Sequence, residues 1–133
     1  VPNPRYRLLA VDDDPDTLEL LDVVLSAAGY DVLPALDGPE GLSLLHRGSP
    51  DVVLLDLQMP GISGVEILER MRAARPEVPI VVVSGQADVE VARAVLRRGA
   101  VDYVKKPVRP DHLLQVIAAA LGVSLPGNPV ARP

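Results

Sequence analysis

The sequence predicts an α/β protein: a doubly wound, five-stranded parallel sheet with five helices. Two observations carry that expectation. Short apolar runs alternate five times with stretches of helical period, and two of the runs, Val52–Leu55 and Ile80–Val83, are apolar at every position. Strands buried on one face alternate apolar with polar residues, whereas central parallel strands covered on both faces do not. Repeated βα units with short connections close into such a sheet through right-handed crossovers.

The elements follow in order. The first strand, Arg7–Val11, runs into Asp12, Asp13 and Asp14. Asp14 is placed to cap a helix with Pro15 at its first position, and Gly29 stops it. Leu18, Leu21, Val24, Leu25 and Ala28 share one face of this helix, and Glu19, Asp22 and Ser26 the other. Asp31–Ala35, the second strand, is less apolar and suits a sheet edge. Asp37 or Gly38 opens the second helix, with Pro39 near its start and Gly48 at its close. Strand Val52–Leu55 leads to a helix over about Val65–Ala74. Strand Ile80–Ser84 leads to one over Asp88–Arg98, terminated by Gly99. Tyr103–Lys105 is the other edge strand, followed by a helix over Pro110–Leu121.

The bulk properties narrow the function classes. A chain of 133 residues is about one domain, able to bury roughly two-thirds of its unfolded surface without staples. Cysteine is absent, which excludes a disulfide framework, a thiolate nucleophile and a cysteine-zinc site. The two histidines, His46 and His112, lie far apart in sequence without companions. Phe and Trp are missing, so the core is aliphatic. The net charge of −5 opposes nonspecific attraction to nucleic acid or anionic lipid, so no direct nucleic-acid binding and no membrane contact are expected of these residues. With no run of 18 apolar residues and no signal-peptide pattern, the chain reads as soluble and cytoplasmic. Residues 1–6, beginning with the proline-rich VPNP and no Met, read as an N-terminal extension of a cut or processed chain. Residues 7–121 form the domain, and 122–133 read as a flexible tail or the start of a linker.

In a doubly wound sheet ligands bind beyond the carboxyl ends of the strands, where strand order reverses. Asp12 and Asp13 follow the first strand, Asp56 the third, Ser84 and Gly85 close the fourth, and Lys105, Lys106 and Pro107 close the fifth. Three carboxylates, a hydroxyl and an ammonium thus converge on one rim. Clustered carboxylates repel by roughly 4 kcal/mol per pair at 4 Å and an effective dielectric near 20, so they take up a proton or recruit a cation. All-oxygen ligation favours Mg²⁺. The chemistry that uses the whole set is phosphoryl transfer to a carboxylate. Asp56 is the candidate nucleophile, Lys106 a mobile charge for a phosphoryl oxygen, and the Ser84 hydroxyl a donor to another. Gly85 leaves room for the group to reach the site.

Rival readings of DDDPD fit less well. Asp12, Asp14 and Asp16 mimic an EF-hand loop, but Thr17 and Val23 stand where that loop needs Gly and Glu. Asp12 and Asp14 give the D-x-D of a haloacid-dehalogenase-like phosphatase, yet Asp16 occupies a Thr or Val position, the later acid pair is missing and Asp56 is left without a role. Asp14 and Asp16 are explained as a helix cap and a first-turn acid.

The motifs VDD, D…MPG…G over Asp56–Gly64, VVVSG and YVKKP, in this order at consecutive strand ends, resemble the receiver domain of two-component response regulators over about Arg7–Leu121. The resemblance implies a flavodoxin-like fold with strand order 2-1-3-4-5. It implies that Asp13 holds Mg²⁺ (or Mn²⁺) directly and Asp12 largely through water, with Asp56 and the backbone carbonyl of Gln58 as further ligands. Asp56 would accept a phosphoryl group from a histidine kinase or histidine phosphotransfer protein, and Lys106–Pro107 would be cis. Tyr103 matches an aromatic switch residue that swings inward as Ser84 moves toward the phosphoryl group. Gln58 and Gln86 match positions that influence how water reaches that group. The implied output surface is the fourth helix, fifth strand and fifth helix, acting on an effector domain or a second copy. The apolar fifth helix fits such a partner, although three alanines also make an ordinary helix surface. Arg93, Arg97 and Arg98 are read as solvated charges or as contacts for an acidic partner. A degenerate receiver acting only as a binding module is the non-catalytic alternative, opposed by the complete acid–Ser–Lys set.

Overall fold

The register of hydrogen bonds along the sheet explains where every element lies. In the computed structural model, which describes residues 5–85 and 89–123, the elements run β1 (Arg7–Val11), α1 (Pro15–Ala27), β2 (Asp31–Ala35), α2 (Gly38–Arg47), β3 (Val52–Leu55), α3 (Gly64–Ala74), β4 (Ile80–Ser84), α4 (Val89–Arg97), β5 (Asp102–Lys105) and α5 (Pro110–Leu121). All strand pairs are parallel, in the order β2-β1-β3-β4-β5. This is the flavodoxin-like arrangement, and the two less apolar strands lie at its edges.

Two cores form because successive strand residues point to opposite faces. Leu9, Val11, Val53, Leu55, Ile80 and Val82 face α2, α3 and α4, meeting Leu45, Ile67, Met71 and Val95. Leu8, Ala10, Val52, Leu54, Val81 and Val83 face α1 and α5, meeting Leu18, Leu21, Leu25, Leu113 and Ile117. Every residue of β3 and β4 is therefore buried.

The helix ends follow local chemistry. The Asp14 side chain accepts from Asp16 N ahead of Pro15, Asp37 accepts from Glu40 N, and Ser63 accepts from Glu66 N. Helix α1 closes at Ala27, with Gly29 just beyond in a left-handed conformation at φ 98° that a side chain would oppose. Three boundaries differ slightly from the sequence pattern. β5 begins at Asp102, since that residue pairs with Val81; α3 begins at Gly64, directly behind its Ser63 cap; and α4 ends at Arg97. The expected start of α4 at Asp88, the extension over residues 1–4 and the tail from residue 124 lie outside the described residues. Among the described residues no helix is long and apolar enough to cross a membrane.

Helix α1 offers an internal control on core energetics. Leu25 is fully buried, whereas Leu20 is 58% exposed. Leu25→Ala is expected to destabilise the fold by about 3 kcal/mol, and Leu20→Ala by less than about 0.5 kcal/mol. Urea unfolding midpoints of the two variants measure the difference.

Candidate functional site at the carboxyl edge of the sheet

The chain leaves β1 for β2 on one side and returns to β3 on the other, so a crevice opens above β1 and β3. The residues that fill it are fixed by the sheet itself. Each strand's hydrogen-bonded ladder runs one residue past its end: Asp12 N donates to Ala35 O at 3.0 Å, Asp56 N to Val11 O at 2.9 Å, and Lys106 N to Ser84 O at 2.8 Å. Three functional side chains therefore start from backbone positions as rigid as the strands.

The carboxylates of Asp12, Asp13 and Asp56 each place an oxygen within 4.8 Å of the others. Asp12 and Asp56 are both 3% exposed, while Asp13 is exposed. The two buried acids are held alike. One oxygen of each accepts a backbone N–H two residues on, Asp14 N to Asp12 Oδ1 and Gln58 N to Asp56 Oδ1, both at 3.0 Å. The other faces Lys106, whose Nζ lies 2.8 Å from Asp12 Oδ2 and 3.6 Å from Asp56 Oδ2. The Lys106–Pro107 bond is cis.

The electrostatics are unbalanced. Burial holds the Asp56 carboxyl above its ordinary range; the Gln58 N–H and Lys106 oppose this, and the charges of Asp12 and Asp13 reinforce it. Burial acts against the Lys106 ammonium, but the hydrogen bond to Asp12 and the charges of Asp56 and Asp12 outweigh it and leave its pKa raised. The Lys106 ammonium thus faces the two buried carboxylates, with the exposed Asp13 beside them.

Ser84 is fully buried at the end of β4, with Gly85 exposed beside it. A Cβ added at Gly85 would meet Gln58 Oε1 at 3.1 Å, so the Gln58 side chain lies across Gly85. Tyr103 is half-buried against the core that α2, α3 and α4 cover. Gln86 falls outside the described residues. Asp14 stands apart from the cluster as the α1 cap, bonded to Asp16 N and the Thr17 hydroxyl at 3.0 Å each, which leaves a D-x-D phosphatase without its second acid.

Several features escaped the sequence pattern. Asp14 N and Gln58 N anchor the buried acids, and the i+2 spacing after each Asp is the only signal for that. Arg98 pairs with Glu69 of α3 at 2.9 Å, with both side chains about half exposed. Of the α5 residues, Leu113, Val116, Ile117 and Ala118 face inward, leaving Asp111, His112, Gln115 and Ala119 exposed. An apolar cleft of about 240 Å³ lined by Leu20, Leu21, Val24, Pro107 and Leu113 lies between α1 and the start of α5, with Lys106 at its border.

A parallel sheet with an acid cluster and a lysine at its switch point is typical of domains that catalyse their own phosphoryl transfer and dephosphorylation. A sequence model of the response regulator receiver domain matches residues 8–118, and the chain belongs to that family. It is 39% identical over 117 residues to the DNA-binding response regulator MtrA of Mycolicibacterium smegmatis, covering 88% of this chain and 51% of MtrA. It is 36% identical over 122 residues to the transcriptional regulatory protein GlrR of Escherichia coli, covering 92% of this chain and 28% of GlrR. The chain thus spans about half or less of the curated relatives it matches. A CheY-like receiver domain protein from Methanospirillum hungatei JF-1 superposes with a TM-score of 0.85 at 34% identity, covering 90% of this chain and 95% of that one. The BeF3-activated DrrB receiver domain gives 0.81 at 29% identity, over 90% of this chain and 99% of that one. The site is a receiver-domain active site, consistent with phosphoacceptor signalling.

The raised Asp56 pKa has a signed consequence for stability. A carboxyl that binds its proton more tightly when folded favours the fold at acid pH, and that contribution is lost as pH rises through its folded pKa. In metal-free buffer at neutral pH, Asp56→Asn is therefore expected to stabilise the domain by about 1 kcal/mol, or roughly 4 °C for a chain of this size. The gap should close as pH falls below the carboxylate range. Thermal melts of parent and variant at several pH values check both the sign and the trend.

Proposed function

We propose that Asp56 is the phosphoacceptor of a two-component receiver, charged by a histidine kinase or histidine phosphotransfer protein. The observation that carries this reading is the buried Asp56 carboxylate, fixed by Gln58 N and facing Lys106, with Asp12 and Asp13 within 4.8 Å.

The donor set fits a hard divalent cation. It offers only oxygen ligands, two of them buried, carrying more negative charge than Lys106 neutralises. Asp13 would hold Mg²⁺ (or Mn²⁺) directly and Asp12 largely through water, with Asp56 and the Gln58 carbonyl completing the protein's share. Bound there, the cation supplies charge neutralisation for an incoming phosphoryl group.

In the transfer, an Asp56 oxygen attacks phosphorus and a P–O bond forms. The P–N bond of the donor phosphohistidine breaks, its electron pair stays on the imidazole, and that ring takes a proton. Lys106 leaves Asp12 for a phosphoryl oxygen, and the Ser84 hydroxyl donates to another. Gly85 gives the group passage, and Gln58 lies where water must approach for hydrolysis back to carboxylate and phosphate. The cleft between α1 and α5, lined by the exposed Leu20 and reaching Lys106, would give a donor protein an apolar seat. On the opposite edge Val89, Leu96 and Val101 are 62%, 45% and 51% exposed. They belong to the surface of α4, β5 and α5, through which the switch with Tyr103 would act on an effector domain or a second copy.

Intact mass after incubation with Mg²⁺ and acetyl phosphate should rise by one phosphoryl group in the parent and not in Asp56→Asn. An unchanged parent mass, with no response to beryllofluoride, would sink the reading in favour of a degenerate binding module. Mg²⁺ alone should raise the melting midpoint, by about 1.4 kcal/mol of stability at tenfold excess over its dissociation constant. Asp13→Asn should lose most of that gain.

A further inference from the structure

Gly64 closes the D…MPG…G motif, yet none of the chemistry above uses it. It is buried as the first residue of α3, directly after the Ser63 cap. Its backbone torsion does not demand glycine, since the positive-φ glycines among the described residues are Gly29, Gly61, Gly99 and Gly122. What demands glycine is proximity. A Cβ at Gly64 would overlap Leu57 Cα and lie 2.7 Å from the Leu57 carbonyl oxygen and 2.9 Å from its carbonyl carbon.

All three of those atoms are backbone, which sets Gly64 apart from the other close-packed helix glycines. A Cβ at Gly38 would meet the side chain of Ile67, and one at Gly41 would meet methyl groups of Val11 and Met71. Side chains there can rotate away, whereas the Leu57 peptide can yield only by moving the chain between Asp56 and Gln58.

We infer that Gly64 is a positioning residue for the phosphoacceptor. Its bare Cα lets the first turn of α3 close onto the Leu57 peptide and so fixes Gln58. Gln58 in turn holds one Asp56 oxygen through its N–H at 3.0 Å and lays its side-chain oxygen across Gly85. Leu57 itself is 9% exposed and packed in the core under α2, α3 and α4, so the peptide is gripped from both sides. A side chain at 64 would push Leu57 outward and carry with it the N–H on Asp56 and the Gln58 carbonyl. The inference rests on the phosphoacceptor reading of Asp56 for its catalytic consequence, but the contact and its effect on Gln58 stand on the structure alone.

The test compares the parent chain with Gly64→Ala and Gly41→Ala, using calorimetric Mg²⁺ titration and the rate of mass gain from acetyl phosphate. Both variants should melt lower. Gly64→Ala should bind Mg²⁺ about tenfold more weakly and gain mass about tenfold more slowly, the scale seen when groups that orient metal ligands are disturbed. Gly41→Ala should keep both within about twofold of the parent. Equal behaviour of Gly64→Ala and parent overturns the inference, and so does an equal loss in Gly41→Ala, which would mark a general effect of destabilisation. Should Gly64→Ala not fold, amide exchange of Gln58 in the metal-free parent decides. Protection comparable to the interior of α3 supports the clamp, and exchange at the rate of an exposed loop overturns it. A parent that takes no phosphoryl group would refute the phosphoacceptor reading, while the Gln58 exchange still judges Gly64.

Discussion

Three carboxylates within 4.8 Å of one another repel by about 3 kcal/mol per pair at an effective dielectric near 20. Side chains free to move would simply part. They remain together because the sheet ladder does not stop where the strands do. Asp12 N on Ala35 O and Asp56 N on Val11 O extend the parallel hydrogen bonding by one residue and fix where the two buried side chains start, and Asp14 N and Gln58 N hold one oxygen of each in place. Lys106, tied in the same way to Ser84 O, brings an ammonium that reaches both buried acids.

That constraint gives the two cores a second purpose. β3 and β4 are buried on both faces because α2, α3 and α4 cover one side and α1 and α5 the other. An acid placed directly after such a strand begins in the interior and reaches only the crevice above it. Burial raises the proton affinity of Asp56, and the N–H of Gln58 lowers it. In the reading proposed above, a cation or a phosphoryl group with its counter-ion would relieve the repulsion among the carboxylates, which is the differential interaction a switch requires.

Much of this was legible in the residues. All five strands lie within a residue of their apolar runs, because strands covered on both faces leave an unbroken apolar signature and edge strands a diluted one. The starts of α1 and α2 were legible because Asp14 and Asp37 cap through their own side chains and Pro15 and Pro39 suit a first turn, whereas the Ser63 cap that starts α3 at Gly64 was not read from the pattern. The acids and Lys106 were legible because position after a parallel strand determines position on the rim. What stayed hidden depends on contacts distant in sequence. Nothing near Gly64 announces that Leu57 backbone lies against it. Nothing in α4 shows that Arg98 reaches Glu69 on α3. The sequence left α5 open between a partner face and an ordinary helix surface, and only packing shows that Leu113, Val116, Ile117 and Ala118 turn inward.

The same ladder that gathers the acids also connects the rim to the edge of the sheet. Val82 is in register with Tyr103, and Ser84 with Lys105, so the strand that ends in the buried hydroxyl is bonded along its length to the strand that carries the proposed switch tyrosine. β5 is an edge strand in which Val104 is buried, Tyr103 half-buried and Asp102 and Lys105 exposed, whereas every residue of β3 and β4 is buried. A pull on Ser84 is therefore resisted on the β3 side by a strand buried on both faces and on the β5 side by a lighter one. In the reading proposed above, the displacement goes where resistance is least, toward Tyr103, Val101 and the exposed face of α4. In that reading, the asymmetry that fixes the acids at the centre of the sheet would also leave its β5 edge able to respond.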